Sequence, residues 1–274
     1  MERKISWFKC IGAIICTAAA GTVANIIACQ IPQGEMGETE YYLLLYCVTS
    51  FLQAIGLISV LFLFKRKEVL TTRPKGSFVK GLLLSIVLIC YGAYMLITNL
   101  ISCISAQGKP SMALPFVIVF FAGIFMGAGI GEEFVYRGVI MNFVRSAVGD
   151  KTRKGLLIGM TVSSVLFGLC HLANLDGSSD VVGTIGQVIY ATGIGFYLAG
   201  IYARTKNIWF NVVLHFFVDI AALIKTIYAG SEVSISEVIG GDPLMVILRS
   251  ILIGVVFGGM GLFMVRKSKM PELA

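Results

Sequence analysis

Gly131-Glu132-Glu133-Phe134-Val135-Tyr136-Arg137-Gly138 puts two carboxylates and a guanidinium at the end of a long apolar run. Elsewhere the chain keeps charge almost entirely out of its apolar segments. A charge at bilayer depth costs at least ~2.5–3.5 kcal/mol on insertion scales, so these three groups must be paired or put to use. On a helix Glu133 and Arg137 are four apart and share a face, so they can neutralise each other. Glu132 points about 100° away and lacks that partner. No Pro or Gly cluster stops the helix before Gly149, so it is expected to run past the pair toward Arg145.

The rest of the chain agrees with a membrane setting. Of 274 residues, 57% are hydrophobic and 14% charged, against about 45–50% and about 25% in a soluble globular domain. Mean hydropathy is +0.88. Eight segments are long and apolar enough to span a bilayer: 8–30, 41–64, 79–104, 112–134, 155–174, 181–203, 207–229 and 244–265. They lack the alternation of a transmembrane β-barrel. The expected fold is an all-α polytopic bundle of about eight helices, one membrane domain over 1–274.

The connections alternate in charge. The N-terminus carries Arg3, Lys4 and Lys9, and the first connection Glu35, Glu38 and Glu40. The second has Lys65, Arg66, Lys67, Arg73, Lys75 and Lys80, and the third only Lys109. The fourth has Arg145, Lys151, Arg153 and Lys154, and the fifth Asp176 and Asp180. The sixth has Arg204 and Lys206, the seventh Glu232, Glu237 and Asp242, and the C-terminus Arg266, Lys267 and Lys269. By the positive-inside rule both termini face the cytoplasm. This distribution also accounts for the net charge of +7 and argues against nucleic acid as a partner. The first apolar stretch is read as a retained span, although Met1–Lys4 give it a faint signal-peptide look.

Seven cysteines are scattered through apolar runs without a CxxC pair and read as small hydrophobes. No GxGxxG, P-loop, HExxH or GxSxG motif is present. Lys225 and Arg249, near outer span ends, are expected to snorkel.

Both histidines lie within spans. His171 follows Phe167 by four residues, and His215 precedes Asp219 by four. A single intramembrane histidine is most simply a satisfied structural residue. Two histidines, an aspartate and a glutamate pair on three spans point instead to a shared site, since intramembrane ionisable groups face the bundle interior or a water-filled cavity. If Glu132, His171 and His215 converge, they can hold a water or a metal ion, and two nitrogens with one carboxylate are a zinc ligand set with an open position. Spacing alone does not establish a metal, so the cofactor is either Zn2+ or none. Depth opposes convergence, because counting from the span ends sets His171 roughly 12 Å deeper than His215. Convergence requires span five to begin outside the hydrocarbon and span four to sit higher than drawn.

Together, Glu132-Glu133-x-x-x-Arg137, Phe167-x-x-x-His171 and His215-x-x-x-Asp219 resemble the signature of the CPBP intramembrane proteases (CAAX proteases and bacteriocin-processing enzymes, the Abi family). The motif-bearing core covers about 112–229. The resemblance implies an endopeptidase of glutamate or metallo type. In it Glu132 activates water with help from His171, and His215 and position 219 stabilise the oxyanion. Glu133 and Arg137, with Phe167, hold the geometry. Asp219 departs from the Asn of many relatives. As a carboxylate it cannot donate to an oxyanion, and it must either be protonated or orient His215. The implied setting is a bacterial cell membrane, with lipid around the protein. The implied substrate is a peptide or protein tail, such as a leader peptide, a pheromone precursor or a bacteriocin-like precursor. Two alternatives stand beside this reading: a non-catalytic immunity or scaffold protein of the same fold, and a proton-coupled transporter. The transporter lacks any visible inverted repeat.

Overall fold

The computed structural model describes residues 5–175, 180–231 and 233–272. Arg3, Lys4, Asp176 and Glu232 of the charge pattern lie outside the described residues.

The described residues form helices joined by short turns, with no strand among them. Helix α1 spans Trp7–Ala28, α2 Glu38–Leu63, α3 the single turn Glu68–Thr71 and α4 Ser77–Gln107. Helix α5, Leu114–Ile124, continues through π-helical stretches Phe125–Glu132 and Phe134–Met141 into α6, Asn142–Gly149. Helix α7 is Arg153–Cys170, followed by a 3-10 turn at His171–Leu175. Then come α8 Val181–Thr205, α9 Ile208–Leu223, α10 Lys225–Ala229, α11 Ile235–Ile239 and α12 Pro243–Met264.

Seven of these helical runs are long and apolar enough to cross a membrane. The eighth expected span is the shorter α9, carried on by α10 after a break at Ile224. Its surface supports the same reading: Phe8, Leu63, Leu83 and Phe263 are 87, 70, 73 and 64% exposed. A soluble monomer rarely shows so much apolar area, whereas hydrocarbon around the bundle removes the cost.

Local signals start the helices. Side chains of Ser6, Thr152, Asp180, Asn207 and Asp242 each accept a backbone N–H of the first turn, which satisfies donors that an isolated helix end leaves orphaned. Arg249 does more than snorkel. Its Nη1 donates to the Ile239 and Gly240 carbonyls at 3.1 and 2.6 Å, closing the end of α11.

Helix α8 lies at the centre. It packs on α12 through facing glycines, because a Cβ on Gly193 would strike the Gly254 backbone and one on Gly200 would sit 3.3 Å from Gly261. Small residues of this kind let membrane helices approach closely. On its other side Tyr197, fully buried, donates its hydroxyl to Leu84 O of α4 at 2.5 Å.

The run from Leu114 to Gly149 has 36 residues. At ~1.5 Å per residue it reaches about 54 Å, well beyond the ~30 Å hydrocarbon thickness. A run of this length exceeds a single untilted crossing, and α7 packs back along its later part. Gly159 of α7 sits so close to the Met141 and Arg145 backbone that a Cβ there would lie 2.7 Å from Met141 O. This pairing sets the start of α7 against the end of the long run that carries Glu132 and Glu133.

Candidate active site

The site is built on the π-helical run. In a π-helix each N–H reaches the carbonyl five residues back, a rare arrangement found mostly at functional sites. Glycines 123, 127, 129 and 131 crowd this stretch, and neighbours fill the space that side chains would take. A Cβ on Gly127 would overlap the Tyr46 hydroxyl of α2 and lie 2.8 Å from Ser50 Oγ. At the far end Asn142 Nδ2 donates to the Arg137 and Gly138 carbonyls at 2.9 and 3.1 Å, helping to close the widened turns.

Glu133 and Arg137 make the expected pair. Arg137 Nη1 lies 2.8 Å from Glu133 Oε1, and both side chains are completely buried. A guanidinium buried at this depth needs more than one acceptor, and Nη2 donates to Gly195 O of α8 at 3.0 Å. The Phe167 ring lies under it, 4.7 Å from Cζ to centroid.

Glu133 has further partners that the helix spacing alone did not reveal. Asn211 Nδ2 donates to Oε2 at 3.1 Å and to Leu198 O at 2.8 Å. His215 Nδ1 lies 2.9 Å from Oε1. A carboxylate already paired with Arg137 accepts here, so Nδ1 carries the proton. That fixes the imidazole edge-on and turns Nε2 toward Glu132 Oε2 and Asp219 Oδ1, each 3.7 Å away. His215 is 5% exposed, while the Glu132 and Asp219 side chains are 31 and 29% exposed. The ion pair is thus sealed, and the two carboxylates beyond Nε2 face accessible space.

Phe167 joins the second histidine to this group. Its ring stands edge-to-face with His171 at 5.1 Å and with His215 at 5.6 Å, and Tyr136 packs on it at 5.2 Å. The two imidazoles therefore share one aromatic neighbour, which the depth count from the sequence did not foresee. His171 Nδ1 lies 2.8 Å from Phe167 O. A carbonyl only accepts, so this nitrogen donates and Nε2 keeps its lone pair.

All seven singled-out residues are thus linked in one cluster: Glu132, Glu133 and Arg137 on the π-helical run, Phe167 and His171 at the end of α7, His215 and Asp219 on α9. Asn211, Gly195, Tyr136 and Tyr46 were not foreseen. Asn211 had a signal, because it precedes His215 by the same four residues that separate His215 from Asp219. The other three reach the site only through tertiary packing.

The same geometry tests the metal. Among the described residues no group of three or more His, Cys, Asp and Glu side chains is arranged to hold an ion. The imidazole Nδ1 atoms are engaged by Glu133 and by Phe167 O. That leaves Nε2 of each ring as the nitrogen that could face an ion, the arrangement usual for metal-ligating histidines.

A family model described as type II CAAX prenyl endopeptidase Rce1-like matches residues 114–221. No curated protein and no solved structure matches the chain. The matched segment starts at α5, ends within α9 and contains all seven singled-out residues with Tyr136, Gly195 and Asn211, but not Tyr46 of α2. Over that segment, which carries all three motifs, the chain is similar to CAAX-type endopeptidases of the CPBP family.

Proposed function

We propose that the chain hydrolyses a peptide bond in a membrane-associated peptide or protein tail, with Glu132 as the base. The observation that carries this is His215, gripped at Nδ1 by a buried carboxylate and presenting Nε2 to Glu132 and Asp219 at equal distance. A gap of 3.7 Å is too long for a direct hydrogen bond but suits a water bonded to both groups. Glu132 takes a proton from that water as oxygen attacks the scissile carbonyl, and returns it to the leaving amine when the tetrahedral intermediate collapses. His171 Nε2, with its lone pair free, assists the first transfer. A proton on His215 Nε2 is presented to the oxyanion as charge develops there. Asp219 orients that imidazole rather than donating to the oxyanion, as a carboxylate does beside the histidine of hydrolase triads. Glu133, Arg137 and Asn211 do not touch substrate. They hold His215.

The orientation of the bundle is part of the proposal. Arg66, Arg145, Lys151 and Lys206, from three basic connections, line one cavity, and Arg153 Nε donates to Val265 O near the C-terminus at 3.2 Å. That common basic end is the cytoplasmic one. Short connections suit a compact bacterial member of the family, whose substrate is then a leader peptide, pheromone precursor or bacteriocin-like precursor.

The test is cleavage of candidate peptides by the purified protein in detergent or vesicles. Cleavage by the parent and none by Glu132→Ala is expected. Equal cleavage by both would sink the proposal.

A further inference from the structure

A second cavity, of about 250 Å³, opens at the basic end of the bundle between α3, α6 and the end of α8. It shares no side chain with the active site. Arg66, Arg145, Lys151, Lys206, Asn142 and Tyr202 supply its polar lining, with Glu68 and Asp150 as the acids. Four cations against two anions leave an excess of two positive charges. The two arginines are pre-positioned: Arg66 Nη2 lies 2.5 Å from Ser146 Oγ and Nη1 3.3 Å from Glu68, while Arg145 Nε donates to Asp150 O at 2.6 Å. Asn142 Nδ2 donates to the Tyr202 hydroxyl oxygen at 3.0 Å, so the Tyr202 proton remains to be donated. Tyr202 is 8% exposed.

Guanidinium forks, ammonium groups and a hydroxyl donor are the chemistry of phosphate recognition. The volume is several times the ~30 Å³ share of a water and just under the ~300 Å³ lower bound of ligand pockets. That is the size of a small polar head group.

Position decides between a soluble phosphate and one that comes with a lipid. The cavity sits where two apolar helices stop, just beyond Leu63 of α2 and beside Thr205 of α8. Phe62 and Leu63, immediately before the basic connection, are 58 and 70% exposed. A phosphate held by Arg66 would therefore have lipid-facing side chains beneath it, where acyl chains run. We propose that this cavity binds the phosphate of an anionic phospholipid head group. Basic pockets between helix ends at the inner leaflet bind lipids of this class. Through Asn142, which also holds the Arg137 and Gly138 carbonyls, the bound lipid would brace the helix that carries Glu132.

The full chain, reconstituted in nanodiscs of phosphatidylcholine titrated with phosphatidylglycerol, provides the test, with retained lipid counted by native mass spectrometry. One phosphatidylglycerol per chain, held in preference to phosphatidylcholine, is expected. Lys151→Gln with Lys206→Asn should lower that retention about tenfold. Both lysines are exposed, and asparagine tolerates the positive φ of 53° at Lys206, so the fold should be unchanged. Tyr202→Phe, which removes only the hydroxyl, should lower retention severalfold and decides the matter if the double variant misfolds. Equal retention of the two lipids, or unchanged retention in the variants, would overturn the assignment. Binding of inorganic phosphate in detergent without any phosphatidylglycerol preference would overturn the lipid source and leave a soluble anion site.

Discussion

The two histidines of the pocket are the same residue held in opposite ways. His215 sits mid-helix in α9, and its Nδ1 is fixed by a carboxylate that Arg137 and Asn211 also bind. His171 sits at the end of α7, half-exposed, and its Nδ1 is fixed only by the carbonyl of its own preceding turn. One imidazole belongs to a buried network from three helices, and the other to a local turn. A network of this kind makes position and stability inseparable, whereas a locally held side chain can be removed with little consequence for the fold.

The sharpest way to break this contrast is at the arginine. Arg137→Met leaves Glu133 buried without its guanidinium and should cost about 3–5 kcal/mol, read as a large fall in melting temperature in detergent together with loss of peptide cleavage. Adding Glu133→Gln should recover part of that stability without recovering activity. A melting temperature indifferent to Arg137→Met would dissolve the distinction between the two histidines.

Replacing the histidines compares them directly. His215→Ala should lower cleavage about 10³-fold and also destabilise the fold, since it removes both an oxyanion donor and a partner of Glu133. His171→Ala should lower cleavage about 10²-fold while leaving stability within ~0.5 kcal/mol of the parent. Equal destabilisation by the two changes would contradict the assignment.

A smaller effect is expected where the π-helical run meets α2. Gly127→Ala puts a methyl group into the Tyr46 hydroxyl, and overpacking of this kind costs about 1–3 kcal/mol. Melting of the purified variant measures it, and an unchanged midpoint would mean that α2 yields.

The smallest effect should appear away from the pocket, at Asp180. Burial raises the proton affinity of its carboxyl, but hydrogen bonds from the Ser236 hydroxyl and N–H and the Gly183 N–H outweigh it and hold the carboxyl below the usual range. A depressed folded value means the contribution is full above the unfolded pKa of about 3.9 and is lost only as pH falls through the lower folded value. Protection of the Gly183 and Ser236 amides, taken relative to their intrinsic exchange rates, should therefore be flat from neutral pH down to that range, and Asp180→Ala should loosen both by about 1 kcal/mol at neutral pH.

Much of the bundle could be read from the chain because a spanning helix needs only length and apolar composition, both local properties. The Glu133–Arg137 pair was legible for the same reason, its four-residue spacing being enough to bring the groups together. Glycines 123 to 131 gave no indication that the helix widens to π geometry there, since hydrophobic pattern does not distinguish the two. The break at Ile224 also carries no Gly or Pro signal. Counting residues from span ends set His171 and His215 apart because it takes no account of helix packing, which brings both rings against Phe167. The bond from His215 to Glu133, which joins residues 82 positions apart, was beyond any reading of local spacing, and it is the contact that organises the pocket.

Everything in the mechanism turns on Glu132, and Glu132→Gln examines it most directly, because the amide keeps the shape of the side chain and removes the base. Cleavage of a substrate peptide and the melting midpoint should be measured on the same preparation. A loss of about 10³-fold or more in cleavage, with the midpoint unchanged, is expected. Cleavage within tenfold of the parent would show that Glu132 does not activate the water.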